Sequence, residues 1–200
     1  MTRQSAIRNG TSIVEKIVVI AASAGGIDAL IQVLSDLPIH LPVAILIVQH
    51  LRSVHQTRLP ELLAQHCSLR VCLAQDGMLL QPRVVYLAVP GWHLRVRNGY
   101  LFLDLAGPVN YVRPSADILF ASAGRVFGPN VIGIVLSGTG CDGARGCREI
   151  KAEGGVTIAQ DAKTSRHFAM PKAAIDTGAV DYVLPLREIA GKIVSLAQQE

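Results

Sequence analysis

The sequence predicts a doubly wound α/β fold: a mostly parallel sheet with helices on both faces, forming a single three-layer domain into which an antiparallel β-hairpin is inserted. Three observations lead there. The runs IVVIA (17–21), VAILIV (43–48), RVVYLA (83–88) and VIGIVL (131–136) are mostly apolar and do not alternate, as strands buried on both faces of a parallel sheet do not. Segments with helical spacing lie between most of them. One segment, HLRVR-NG-YLFLD (93–104), does alternate, around a dipeptide that tolerates the positive φ of a hairpin turn.

After the first strand, apolar Ile27, Leu30, Ile31 and Leu34 mark a helix over 25–36, stopped by Leu37-Pro38. The second strand feeds a helix at about 56–67, so two successive βα units give the right-handed crossover of an α/β domain. The hairpin follows the third strand. Pro114-Ser115-Ala116-Asp117 starts a helix to about Phe127, the strand at 131–136 feeds a helix over about 143–153, and VTIAQD (156–161) and YVLP (182–185) read as late strands. No Gly/Ser linker or repeat divides the chain, so residues 1–15 are taken as an N-terminal extension and 16–200 as one domain.

Composition excludes several classes. With 200 residues, half of them hydrophobic, one substantial core is affordable. The apolar runs are too short to cross a bilayer and the N-terminus lacks a signal-peptide core, which predicts a soluble cytoplasmic protein without membrane insertion. Cys67, Cys72, Cys141 and Cys147 match neither a redox C-x-x-C nor the usual zinc spacing, so reduced thiols and no metal are expected. A net charge of +4 suits an acidic partner, but without a basic run or an aromatic platform nucleic acid is not expected.

Gly138-Thr139-Gly140-Cys141-Asp142-Gly143 has the G-x-G-x-x-G spacing of a dinucleotide-binding turn, between a strand and a helix, and the next strand ends at Asp161, near where a ribose-binding acid is expected. Against NAD, Asp142 sets a carboxylate inside the turn that approaches a pyrophosphate. Too little chain follows for two nucleotide-binding halves, and no cofactor is expected.

Reactive residues of open α/β sheets gather beyond the carboxyl ends of strands. The first strand here ends in Ala21-Ala22-Ser23-Ala24-Gly25-Gly26, small residues around a serine at a strand-to-helix turn, where backbone N–H groups can face a developing oxyanion. The second ends in His50, and the strand at 131–136 leads to Asp142. Histidine within reach of the serine can take its proton, and a carboxylate on the other ring nitrogen fixes the tautomer. The plainer alternatives are Ser23 and Asp142 as helix N-caps and His50 as a satisfied strand-end histidine.

The motifs VVIAASAGG, LIVQH, AQDG, VYLAVPGWHL, RPSADILFASA, GIVLSGTGCDGARG, GGVTIAQD and AMPKAAIDTGAVDYVLPL, in this order, resemble the catalytic domain of the chemotaxis protein-glutamate methylesterases, the CheB family, over about residues 16–196. The resemblance implies hydrolysis of glutamyl methyl esters, with some glutamine deamidation, on the cytoplasmic helices of chemoreceptors. By position it makes Ser23 the nucleophile, His50 the base and Asp142 the orienting acid, with backbone donors to the oxyanion at Ala24, Gly25, Thr139 and Gly140. Thr139 stands where many relatives have methionine, and Ala21 and Ala169 stand where glycine is usual. Many relatives carry an N-terminal receiver domain; with 15 residues before Lys16, the expectation is either no regulation by phosphorylation in cis or control by a separate regulatory or methyltransferase chain. Arg113 and His93 are read as surface or hairpin residues outside the catalytic set. The rival class is a non-catalytic module that binds a receptor or methyltransferase on the same fold.

Overall fold

The structure, a computed structural model, describes residues 7–8, 11–12, 14–51 and 57–199. Two short strands, β1 (Ile7–Arg8) and β2 (Thr11–Ser12), pair antiparallel ahead of the main domain. The chain then runs β3 (Ile17–Ala22), α1 (Gly26–Ser35), β4 (Ala44–Gln49), α2 (Leu59–Ala64), β5 (Arg70–Leu73) and β6 (Val84–Leu87). The hairpin β7 (His93–Arg97) and β8 (Tyr100–Asp104) follows. After it come α3 (Ala116–Phe127), β9 (Val131–Val135), α4 (Ala144–Ala152), β10 (Val156–Gln160), α5 (Ala169–Ile175), β11 (Tyr182–Leu184) and α6 (Leu186–Ala197).

Seven strands form one sheet in the order β11-β10-β9-β3-β4-β6-β5, every neighbour parallel. The hairpin pairs with none of these seven strands; beyond its own ladder, it makes an antiparallel bridge to Leu79 and backbone hydrogen bonds to residues 77–80, so the large sheet is wholly parallel and the antiparallel part stands apart. Asn98 and Gly99 have φ of 51° and 80°, the turn the dipeptide predicts.

Strand side chains point alternately to the two faces, and β3 shows the result. Ile17, Val19 and Ala21 join a core with α3, α4, α5 and the hairpin; Val18, Ile20 and Ala22 join one with α1, α2 and α6. Both faces being covered, no polar alternation is needed, which is why the buried runs are legible as strands.

The helix expected at about 56–67 is six residues long, its predicted start lying outside the described residues. Strand β5 and helix α5 are among the elements with no counterpart in the predicted set. The β5 residues are half-buried to exposed at the sheet edge, so no apolar run announces them. Helix α5 has seven residues with Pro171 in its first turn, too short for a periodic signal.

The chain moves outward from β3 to β4 and then returns to lay β9 on the other side of β3. The strand order therefore reverses at β3, the place where such sheets open a crevice beyond their carboxyl ends.

Candidate active site

Backbone hydrogen bonds carry the ladder past the three central strands and bring their ends together. His50 N donates to Ala22 O at 3.0 Å, Leu136 N to Ala21 O at 2.9 Å, and Ser23 N to Ser137 O at 3.0 Å. The Ser23 carbonyl accepts from Gly26 N at 2.9 Å and from Gln49 Nε2, also at 2.9 Å. Gln49 Nε2 also reaches His50 O at 3.0 Å, tying the serine turn to the histidine turn.

Gly138 lets this packing happen. A Cβ there would collide with Met170 Sδ and lie 2.9 Å from Ser23 Cβ. Among the described residues, the backbone N–H groups of Ala24, Gly25, Thr139 and Gly140 donate to no other group. Those of Ser23 and Gly138 are spent on Ser137 O and His167 O. The four left free belong to residues at which the resemblance implies donors to an oxyanion. Since the donor at 139 is backbone, threonine in place of methionine does not remove it.

His50, at the end of β4, is largely buried, and its Nε2 lies 2.9 Å from Asp142 Oδ2. A carboxylate partner calls for a proton on Nε2, which leaves Nδ1 of the neutral ring as the free acceptor. Ser23 Oγ stands at the neighbouring strand end, without a hydrogen bond to the His50 ring. Such bonds often tighten only when substrate is bound.

Asp142 is 3% exposed and its carboxylate is surrounded by donors. Oδ1 accepts from Ser115 Oγ at 2.6 Å and Asp117 N at 3.1 Å; Oδ2 accepts from Ala116 N at 2.6 Å and from His50. Asp142 thus sits on the N-terminus of α3, not of the helix that follows it in sequence, which starts from Gly143 without a side-chain cap. Burial works to raise its pKa, but the hydrogen bonds from His50, Ser115 and the two amides outweigh that and hold it below the ordinary carboxylate value. Nor is Ser23 an N-cap: Gly25, at φ 69°, fills that place for α1.

Asp117 returns the exchange. Its Oδ1 accepts from Gly143 N at 3.0 Å and Gly146 N at 2.7 Å, the start of α4, and Oδ2 accepts from Asn110 Nδ2 at 2.8 Å. Arg145 Nε lies 3.8 Å away and its side chain is half exposed. Burial, joined by the charge of Asp142, raises the Asp117 pKa despite these donors.

This exchange argues against a dinucleotide at the glycine turn. The amides at the start of α4 that a pyrophosphate would use already hold Asp117, and Gly138 serves the approach of Ser23 and Met170. Asp161 Oδ1 is taken by the Thr164 amide and hydroxyl.

A family model described as CheB methylesterase matches residues 18–193. The chain belongs to the CheB methylesterase family. It is 43% identical over 179 residues to protein-glutamate methylesterase FrzG of Myxococcus xanthus, covering 89% of this chain and 54% of that protein. A putative protein-glutamate methylesterase/protein-glutamine glutaminase of Leptospira interrogans is 36% identical, covering 90% of this chain and 94% of its own length. The crystal structure of the Thermotoga maritima CheB methylesterase catalytic domain matches with a TM-score of 0.87 at 37% identity, over 90% of this chain and 98% of that one. The chain spans about half the length of several curated relatives it matches.

Within this CheB-family fold, the sequence places Ser23, His50 and Asp142 at three strand ends and the structure brings those ends together, with His50 and Asp142 in direct contact. Ser115, Asp117, Asn110 and Gln49 were not anticipated as parts of the site, although RPSAD held the first two in view. Ala21 is fully buried with its Cβ facing Gly143, so its methyl group stays out of the cleft, while Ala169 is exposed at the start of α5. Arg113 Nη1 donates to the carbonyls of Leu105 and Ala106 at 3.0 and 3.1 Å, bracing the chain beyond the hairpin. No described helix is long and apolar enough to cross a membrane.

Proposed function

We propose that residues 16–200 form a serine hydrolase unit that removes methyl groups from glutamyl methyl esters, with Ser23 as nucleophile, His50 as base and Asp142 as orienting acid. The observation that carries this reading is the 2.9 Å contact between His50 Nε2 and a fully hydrogen-bonded, buried Asp142, at the strand end next to Ser23.

Ser23 Oγ attacks the ester carbonyl carbon while His50 Nδ1 takes its proton, and Asp142 stabilises the imidazolium that forms. The oxyanion receives hydrogen bonds from the free amides among Ala24, Gly25, Thr139 and Gly140. Collapse breaks the bond to methoxide, which leaves as methanol with the proton from His50, and Ser23 holds the glutamyl acyl group. A water deprotonated by His50 then attacks the acyl-enzyme, freeing the glutamate carboxylate and restoring Ser23. The same sequence on a glutamine side chain releases ammonia.

The family and the names of the relatives point to glutamyl esters as substrate, and methylated cytoplasmic helices of chemoreceptors are the substrate we propose. The positive balance of the chain suits the acidic surface such helices present.

Methanol release from a methylated receptor fragment tests this directly. Wild type should release methanol, and Ser23→Ala and His50→Ala should each remove nearly all of it. A fluorophosphonate should label wild type and leave Ser23→Ala unlabelled. A well-folded wild type that neither labels nor releases methanol would instead favour a binding module on this fold.

A further inference from the structure

His93, at the first position of β7, is fully buried, and the proposed chemistry gives it nothing to do. Both of its ring nitrogens are engaged. Ser115 N donates to Nδ1 at 3.1 Å, and Nε2 lies 3.0 Å from Gly107 O. An amide can only donate and a carbonyl can only accept, so the ring is neutral with its proton on Nε2.

The residue His93 holds is the one that meets the acid. Ser115 gives Asp142 its hydroxyl, and the next two amides, of Ala116 and Asp117, bind the same carboxylate. A continuous run of contacts therefore leads from the Gly107 carbonyl through His93, Ser115 and Asp142 to His50. A second tie lies further along α3, where Ser122 Oγ accepts from Val96 N at 3.0 Å and donates to Leu119 O at 2.8 Å. The hairpin, which contributes nothing to the seven-stranded sheet, is fastened to α3 at these two points.

We propose that His93 is a positioning residue for the acid: by fixing the Ser115 amide it sets the N-terminus of α3 where its donors converge on Asp142. This role rests on Asp142 acting in the triad proposed above. A planar ring with an acceptor on one side and a donor on the other spans a fixed distance between the 105–109 segment and the helix start. An aliphatic side chain of similar size fills the space but leaves the Ser115 amide without its acceptor.

The test uses the full chain, with kcat and KM for methanol release expressed per Ser23 labelled to completion by a fluorophosphonate. His93→Leu should lower kcat by roughly 10–100-fold, the scale of a small displacement of catalytic groups, with KM nearly unchanged. His93→Asn, whose amide oxygen can stand near Nδ1, should recover most of the rate; His93→Gln, whose amide reaches the Nε2 position instead, should not. Ser115→Ala should resemble His93→Leu, and the double variant should be slower than the worse single by less than about threefold, because both act through one carboxylate.

A residue that only stabilised the fold would lower the labelled fraction and leave the rate per labelled serine at its wild-type value, which would overturn the proposal. So would independent, multiplying effects in the double variant. Should His93→Leu fail to fold, the Asn and Gln variants decide, and equal rates in those two count against the role. Wild type that neither labels at Ser23 nor releases methanol removes the triad and this role together, whereas an active wild type with unaffected His93 variants removes this role alone.

Discussion

Asp142 and Asp117 sit on two sides of one contact, each carboxylate at the N-terminus of the other's helix, and their pKa values are displaced in opposite directions. Both are almost wholly buried, and a helix N-terminus favours negative charge in each case. The difference lies in the remaining donors. Asp142 has four, one of them a ring that becomes positively charged when His50 takes a proton, while Asp117 has two amides, a carboxamide and a distant, half-exposed arginine. With two buried carboxylates in one contact, negative charge is held more readily by the one with more hydrogen-bond donors, and that is the one facing His50.

Replacing each acid by its amide should break this symmetry. Asp142→Asn should reduce kcat by about 10⁴-fold with little change in KM, because an amide cannot hold the Nε2–H tautomer and stabilise the imidazolium as a carboxylate does. Asp117→Asn keeps an oxygen for the Gly143 and Gly146 amides and should cost less than about tenfold, near the scale of one net hydrogen bond. Steady-state methanol release on both variants checks the ranking; equal losses would mean the two carboxylates act as one unit.

Stability against pH should separate them further, since their shifts have opposite signs. Asp142 supplies stability that is complete above the ordinary carboxylate value and is lost as pH falls through its own depressed value. Asp117 opposes folding above its raised value, and that penalty fades as pH falls toward the ordinary one. Urea midpoints across the acid range should therefore flatten below the ordinary value in Asp142→Asn and above it in Asp117→Asn. The comparison fails if both variants flatten on the same side.

The smallest effect belongs to Arg145. At 3.8 Å and half exposed, it should contribute less than about 1 kcal/mol, so Arg145→Ala should barely move the urea midpoint. A large loss would mean that this cation, and not the two helix starts, is the main partner of the Asp117 carboxyl group.

Much of the fold was legible because buried parallel strands leave unbroken apolar runs and a hairpin leaves alternation around Asn98-Gly99. The edge strand β5 left neither. At the site, placing reactive residues at strand ends singled out Ser23, His50 and Asp142, while local pattern left a plainer alternative open for two of them. It offered N-capping of the following helix for Ser23 and Asp142, whereas Gly25 and Gly143 fill those places and Asp142 caps a helix that starts 26 positions earlier.

By itself the sequence determined which strands are buried, where they end and which reactive side chains stand at those ends, because periodicity and turn chemistry are properties of neighbouring residues. Only the tertiary structure decided that His50 meets Asp142 through Nε2, that α3 and α4 exchange carboxylates, and that His93 lies behind Ser115. Each of those hydrogen bonds joins residues more than 20 positions apart, whose side chains come within reach only after the sheet and its helices have packed.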